Sequence, residues 1–242
     1  MLKPQCETLD VQISKILFSQ GFGTRRVCSG LVQRGDVVVA GRLLADPEED
    51  FVAEGLVFEV QGKAWAYHAR ALLMLNKPAG FECSRKPRHH PSVLTLLPPP
   101  LRTRDVQAVG RLDEDTTGLL LFTDDGALIH RLTSPKHHVP KVYEVLAKHP
   151  ITDEQVAALL AGVVLEDDPE PVRAIAVERT AECGLRLTLG EGKYHQVKRM
   201  LAAVGNRVEG LQRSRFGALV LPRDLALGQW RWVELAQLGL PG

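Results

Sequence analysis

Asp113 stands two residues from Arg111 and two from Asp115 in the stretch VGRLDEDTTGLLLFTDDG. An ionised carboxylate beside an obligate cation can serve as a nucleophile or a base. It can equally be half of a structural ion pair, the ordinary fate of an Arg-x-Asp triplet. Asp113 and Asp115 could also form an acid/base pair for cleaving a glycosidic bond. Two carboxylates this close on a turn do not by themselves meet the ~5–9 Å facing separation such chemistry needs. The pairs His89-His90 and His137-His138 stand in basic loops with no neighbouring cysteine and no regular spacing, so they read as phosphate neighbours rather than metal ligands. Tyr143, just after Lys141, reads as an amphipathic residue at a sheet edge or as an aromatic platform for a base. Cys6, Cys28, Cys83 and Cys183 are scattered without a C-x-x-C pair, which argues against a zinc site or a disulfide framework. Reduced thiols in the cytoplasm are expected.

Those side chains need elements to hold them. The 242 residues, 45% hydrophobic and 24% charged, suit a soluble globular protein of one or two domains. No apolar run approaches the ~20 residues of a membrane span, and no signal-peptide pattern opens the chain. A formal net charge of +1 means that any nucleic-acid surface must be a local cluster of cations. Gly118 to Phe122 is a solid apolar run bounded by turn signals and reads as a buried strand, which places Asp113 on a loop clamped on both sides. Asp124 is expected to cap the helix marked by Ala127, Leu128 and Leu132.

Upstream, residues 1–8 read as a tail. Leu9, Ile13, Ile16 and Leu17 mark one face of a first helix, and Thr24 caps a second that turns Val27, Leu31 and Val32 inward. Strands follow at Asp36–Ala40 and near Leu56–Val60. On the second helix Arg25, Arg26 and Arg34 are either a solvated surface or a phosphate-binding face, although the same unit carries Asp46, Glu48, Glu49 and Asp50. Gln61 to Ala69 reads as a linker. A second domain then opens with a strand, Leu72–Leu75, leading into Asn76-Lys77-Pro78. Arg85–His90 and the prolines at 98–100 read as an irregular basic loop, and Ser134–Lys141 as another. Further strands are predicted at Val142–Leu146, Val172–Glu178, Leu185–Leu189, Gly210–Gly217 and Gln229–Val233, with Thr152 and Gln155 forming a capping box. A helix from His195 to Val204 turns Val197, Met200, Leu201 and Val204 inward and leaves His195, Lys198 and Arg199 on the other side. Arg213 and Arg215 alternate along their strand and are expected on one face. Strands outnumber helices, so the expected fold class is α+β with a mostly antiparallel sheet.

VGRLDEDTTGLLLFTDDG, LNKPAGFECS, SPKHHVPKVYEV and EGKYHQVKRMLAAVGN together resemble the RsuA-type pseudouridine synthases of bacterial small-subunit ribosomal RNA, in the family's order and over residues 9–235. The resemblance implies a pseudouridine-synthase catalytic domain at 68–242, preceded at 9–67 by an alpha-L-type RNA-binding module whose T-R-R and R-G-D-V-V-V-A-G segments match. It implies that Asp113 is the catalytic carboxylate. The reaction breaks the bond from uracil N1 to ribose, turns the base and rejoins it through C5, with no net redox change. No cofactor and no metal are therefore expected. Lys198 matches the family's basic partner of that Asp, with Arg199 its nearest rival, because a buried carboxylate stays ionised only beside a cation. Tyr143 matches the aromatic partner of the target base and is a candidate for moving the C5 proton.

The target uracil must leave its stack. Arg111 is expected to fill the vacated space or hold a flanking phosphate. Lys77, Lys141, Lys193, Arg213 and Arg215 are expected to track the RNA backbone, with His195, Gln196, Arg199 and the module's Arg25, Arg26 and Arg34 also on RNA. Lys193 stands where many members carry Arg and gives a point charge rather than a fork. The implied partner is ribosomal RNA, from the small subunit or its assembly intermediate, bound by a cytoplasmic monomer with no membrane association. Large-subunit synthases share R-L-D and the H-Q helix, but the T-T-G-L, T-D-D-G and S-P-x-H-H spellings favour the small-subunit type. A non-catalytic RNA-binding or assembly factor on the same scaffold predicts a damaged catalytic set, whereas Asp113, Tyr143 and Lys198 are all present.

Overall fold

The computed structural model describes residues 10–166 and 168–239, so the tail expected at 1–8 lies outside the described residues. The chain forms two compact units, one from residues up to 71 together with 97–106, the other from 72–96 and 107 onward.

In the first unit, β1 (Asp10–Gln12) pairs with β4 (Asp50–Val52), and β2 (Val37–Val39), β3 (Arg42–Leu43), β5 (Val57–Val60) and β6 (Lys63–Ala66) form an antiparallel sheet in the order β3-β2-β5-β6. The first helix, α1 (Ile13–Ser19), starts later than predicted because the three residues before it are committed to the β4 pairing. The second, α2 (Arg25–Gln33), is capped as expected, with the Thr24 hydroxyl accepting from Val27 N at 3.3 Å. Ile13, Ile16, Leu17, Cys28, Leu31 and Val32 from the helices meet Val37, Val39, Phe58 and Val60 of the sheet in one core. Gln61–Ala69 is no linker, since β6 adds an edge strand there. The prolines at 98–100 are not irregular either. Pro99 opens α3 (Pro99–Thr103), where a missing N–H is harmless and a fixed φ helps. The Arg104 guanidinium just beyond donates to the Gln20 side chain at 2.9 Å.

The second unit is built on a nine-stranded sheet. Its strands are β7 (Leu72–Lys77), β8 (Gln107–Ala108), β9 (Thr117–Thr123), β10 (Lys141–Ala147), β13 (Ala176–Arg179), β14 (Gly184–Leu189), β15 (Val208–Phe216), β16 (Leu219–Val220) and β17 (Trp230–Trp232). They run in the order β13-β14-β10-β15-β9-β7-β17, with β16 on β15 and β8 on β9; every pairing is antiparallel except β15 with β9. Between β10 and β13, β11 (Val163–Leu165) and β12 (Asp168–Val172) form a separate ribbon. The single strand predicted over Val172–Glu178 is therefore two, broken where the chain leaves the ribbon for the main sheet. The apolar runs of β7 and β9 are buried along almost their whole length because both strands are central and covered. Leu72, Met74, Leu119, Leu121, Leu132, Phe216 and Leu219 form the core there.

Gly118 sits where β9 meets the parallel strand β15, with φ +103°, and a Cβ on it would stand 2.3 Å from the Arg213 carbonyl oxygen. Helix α4 (Gly126–Thr133) packs on β9 and is capped by Asp125, not Asp124; the Asp125 carboxylate accepts from Ala127 N at 2.9 Å and Leu128 N at 3.1 Å. Helix α5 (Asp153–Ala161) has the expected Thr152–Gln155 capping box. Helix α6 (Gln196–Ala203) buries Val197, Met200 and Leu201 as the sequence pattern requires and packs against β15 and β11.

Candidate active site

The loop between β8 and β9 carries Asp113, and its backbone is fastened from beneath. Lys77, at the end of β7, is fully buried, and its ammonium donates to the carbonyl oxygens of Pro78, Asp113, Glu114 and Thr116 at 2.9–3.1 Å. Burial pushes this ammonium's pKa down, opposed by the charges around Cys83, Glu114, Asp115 and Asp113. Gly80 N donates to the Glu114 carbonyl at 2.8 Å, and Leu112 N to the Cys83 Sγ at 3.4 Å. The loop is thus tied to the β7 connection at both flanks of Asp113.

Two side chains from the α6 end reach the Asp113 carboxylate. Lys198 Nζ lies 3.5 Å from Oδ2, and His195 Nε2 lies 3.3 Å from Oδ1. The tighter partner of Lys198 is Asp115, whose two oxygens it meets at 2.7 and 2.8 Å. Burial pushes the Asp115 carboxyl up, but the Lys198 hydrogen bond and charge outweigh it and leave the pKa below the usual range. Burial likewise works against the Lys198 ammonium, and the two carboxylates more than offset it, so its pKa is raised. Arg199, the alternative partner, points elsewhere and donates to the Tyr194 carbonyl at 3.1 Å.

Asp113 and Lys198 border a cleft of about 440 Å3 whose wall includes Tyr143, with Leu189 and Leu211 beside it. A carboxylate with an ammonium near one oxygen and an imidazole near the other, in a cleft that also carries an aromatic ring and apolar side chains, can hold a flat heterocycle beside a charged reactive group.

Residues 71–203 match the RNA pseudouridylate synthase family. The chain belongs to that family. Among its relatives, the protein named ribosomal small subunit pseudouridine synthase A from Escherichia coli (strain K12) is 40% identical over 220 residues, 88% of this chain and 92% of its own length. The protein of the same name from Yersinia pestis is 39% identical over 233 residues, 95% of this chain and 94% of its own. A solved structure described as a crystal structure of pseudouridylate synthase superposes with a TM-score of 0.67 at 33% identity, covering 95% of this chain and 98% of that one.

Within this family member, the residues expected on RNA divide into two groups. Arg111, exposed, and Lys193, half-buried, border the cleft. Arg25 and Arg26 are exposed on the first turn of α2, whereas Arg34 is at its other end and pairs with Asp36 at 3.0 Å. Arg215 is exposed and donates to the Gly217 carbonyl at 3.0 Å.

Lys77, Lys141 and Arg213 correct the expectation, because all three are buried. The Lys141 ammonium donates to the Val139 carbonyl at 2.8 Å and lies 5.3 Å from the Phe216 ring centre; burial, with Arg213 nearby, pushes its pKa down to about 8. Arg213 and Arg215 do not share a face, since Val142 opposes Arg215 while Tyr143 opposes Arg213, leaving Ser214 as an inserted bulge residue. Arg213 turns inward, donates Nε to the Leu119 carbonyl at 2.8 Å and lies over Phe216. Gln196 is buried too. It accepts from Lys193 N at 2.7 Å and donates to Glu191, shaping the turn that delivers His195. Sequence reasoning missed Asp115 as the closer partner of Lys198 and His195 as a neighbour of Asp113. His195 precedes α6 with a left-handed backbone, so helical spacing gave no signal for its position.

Proposed function

We propose that the protein isomerises a specific uridine to pseudouridine in small-subunit ribosomal RNA, with Asp113 as the catalytic carboxylate. The observation that carries this reading is the convergence of Lys198 and His195 on Asp113 at the rim of the cleft walled by Tyr143. The small-subunit target is supported by the names of the relatives that share about 40% identity over most of this chain.

The uridine leaves its stack and its base enters beside Tyr143. Asp113 acts as nucleophile or as the base that triggers scission of the N1–ribose bond. Lys198 keeps a positive charge beside the carboxylate in a partly water-shielded site, where such a charge is worth more than in bulk water. After the base turns, C5 bonds to the ribose carbon and loses its proton while N1, freed from the ribose, gains one; the Tyr143 hydroxyl in the cleft wall is a candidate to take the C5 proton. Arg111 and Lys193 hold phosphates at the rim, and the first unit, with Arg25 and Arg26, adds a second RNA contact as an alpha-L-type module ahead of the catalytic part.

Pseudouridine mapped across ribosomal RNA from cells with and without the protein tests this directly. One small-subunit uridine is expected to revert when the protein is absent. Loss of a large-subunit site instead would transfer the target, and no change in either RNA would overturn the catalytic reading.

A further inference from the structure

A second, wider cleft of about 1,030 Å3 shares Arg111, Asp113, His195 and Lys198 with the first. Tyr194 borders it and is 65% exposed. Its ring is stacked on the His195 imidazole, with ring centres 3.8 Å apart and planes 18° from parallel. His195 holds this pose from a left-handed backbone, φ 46°, which a non-glycine residue adopts only when its surroundings enforce it. Its Nε2 is at the same time 3.3 Å from Asp113 Oδ1. An exposed aromatic ring is therefore stacked on the side chain that meets the Asp113 carboxylate.

The other walls select the ligand class. Glu82 accepts the backbone N–H groups of Arg88, His89 and His90 at 3.1, 2.8 and 2.9 Å, which fixes the basic stretch 85–90 beside the cleft. Of the four carboxylates that line the cleft, Glu82 accepts those three donors, Asp115 is held by Lys198, Asp113 meets Lys198 and His195, and Glu114 lies 3.8 Å from His90 Nε2. What faces an incoming molecule is a flat ring with Arg111, Lys198 and three imidazoles around it, interleaved with the carboxylates they meet. Unpaired nucleotides are bound by that combination, the base stacked and the phosphate near a cation.

We propose that Tyr194 is the stacking platform for an unpaired nucleotide adjacent to the target uridine, so that the substrate is a segment in which two neighbouring bases leave the stack together. This rests on the uridine-isomerising reading above and specifies its substrate. The test uses the full-length protein and RNA assembled by splinted ligation around the mapped uridine, with an abasic residue at its 5′ or 3′ neighbour. For the wild-type protein, kcat/KM falls roughly 5- to 150-fold when the base on one particular side is removed, as expected for one stacked base. Tyr194→Ala loses a similar factor on intact RNA and little more on the abasic RNA, whereas Tyr194→Phe keeps the discrimination. Equal turnover of intact and both abasic RNAs by the wild type overturns the proposal. So do losses that simply multiply when Tyr194→Ala meets the abasic RNA, because two changes to one contact do not add independently. No pseudouridine on intact RNA would instead sink the catalytic reading, and this subsite with it.

Discussion

Lys198 divides one charge between two carboxylates, and the division is unequal: Asp115 holds it at hydrogen-bond distance and Asp113 at 3.5 Å. Asp115 therefore anchors the ammonium, while the contacts of Asp113 with Lys198 and His195 are longer, at 3.5 and 3.3 Å. Asp113→Asn is expected to abolish isomerisation with RNA affinity within a few-fold of wild type, checked by pseudouridine formation and filter binding on the same RNA. Lys198→Met should lower kcat more than affinity, and Asp115→Asn should do the same more weakly, since Lys198 then loses its anchor but retains Asp113. An unchanged kcat in Lys198→Met would remove the lysine from the chemistry. Lys141 makes a separate prediction. Its pKa, pushed down to about 8 in the folded chain, sits below its ordinary value near 10.5, so between those limits the unfolded chain binds more protons. Stability carried by this residue thus rises with pH from about 8 to about 10.5. Lys141→Met is expected to melt above wild type at pH 7, by roughly 1–3 kcal/mol after loss of the Val139 hydrogen bond, with the gap closing by pH 10.

At the scale of elements, the reactive loop behaves as an appendage of β7 as much as of β9, because the Lys77 ammonium gathers four carbonyls from both sides of it. Lys77→Met would leave these acceptors without their donor and is expected to cost roughly 2–4 kcal/mol, read from the urea midpoint, together with most of the activity. Gly118→Ala forces β9 away from β15 and should cost about as much. A midpoint within ~0.5 kcal/mol of wild type for either variant would disprove the staple or the close approach. Part of this layout was readable beforehand. The apolar run ending at Phe122 after a charged turn placed Asp113 on a strand-bounded loop, and helical spacing put Lys198 on the exposed face of α6. The inward cations were not readable, because Lys77, Lys141 and Arg213 have the same spelling whether a strand end points to solvent or to the interior. At Ser214 a single inserted residue reverses the face of Arg213, and periodicity cannot register a one-residue bulge. The prolines at 98–100 misled for a related reason: the residue that forbids a central strand is also a good first residue of a helix.

At the scale of the whole molecule, a formal net charge of +1 gives little general attraction to RNA, so binding must be carried by particular cations. In the first unit the candidates differ in what holds them. Arg34 is bound to Asp36 by two hydrogen bonds at 3.0 and 3.2 Å, and Arg42 is paired with Glu49, whereas Arg25 and Arg26 stand exposed at the start of α2. If the first unit grips phosphate, these two arginines release counterions when RNA binds, each worth about 0.7–0.9 in the slope of log affinity against log salt. Replacing both with alanine should therefore flatten that slope by about 1.4–1.8, while kcat at saturating RNA is unchanged. Arg34→Ala should leave the slope where it was, because a cation already neutralised by its own chain displaces few counterions. The comparison separates a phosphate contact from a general loss of charge, since each arginine removed lowers the net charge by the same amount. Equal flattening per residue in all the variants would mean that the first unit contributes only its overall field, and would remove it from the list of specific RNA contacts.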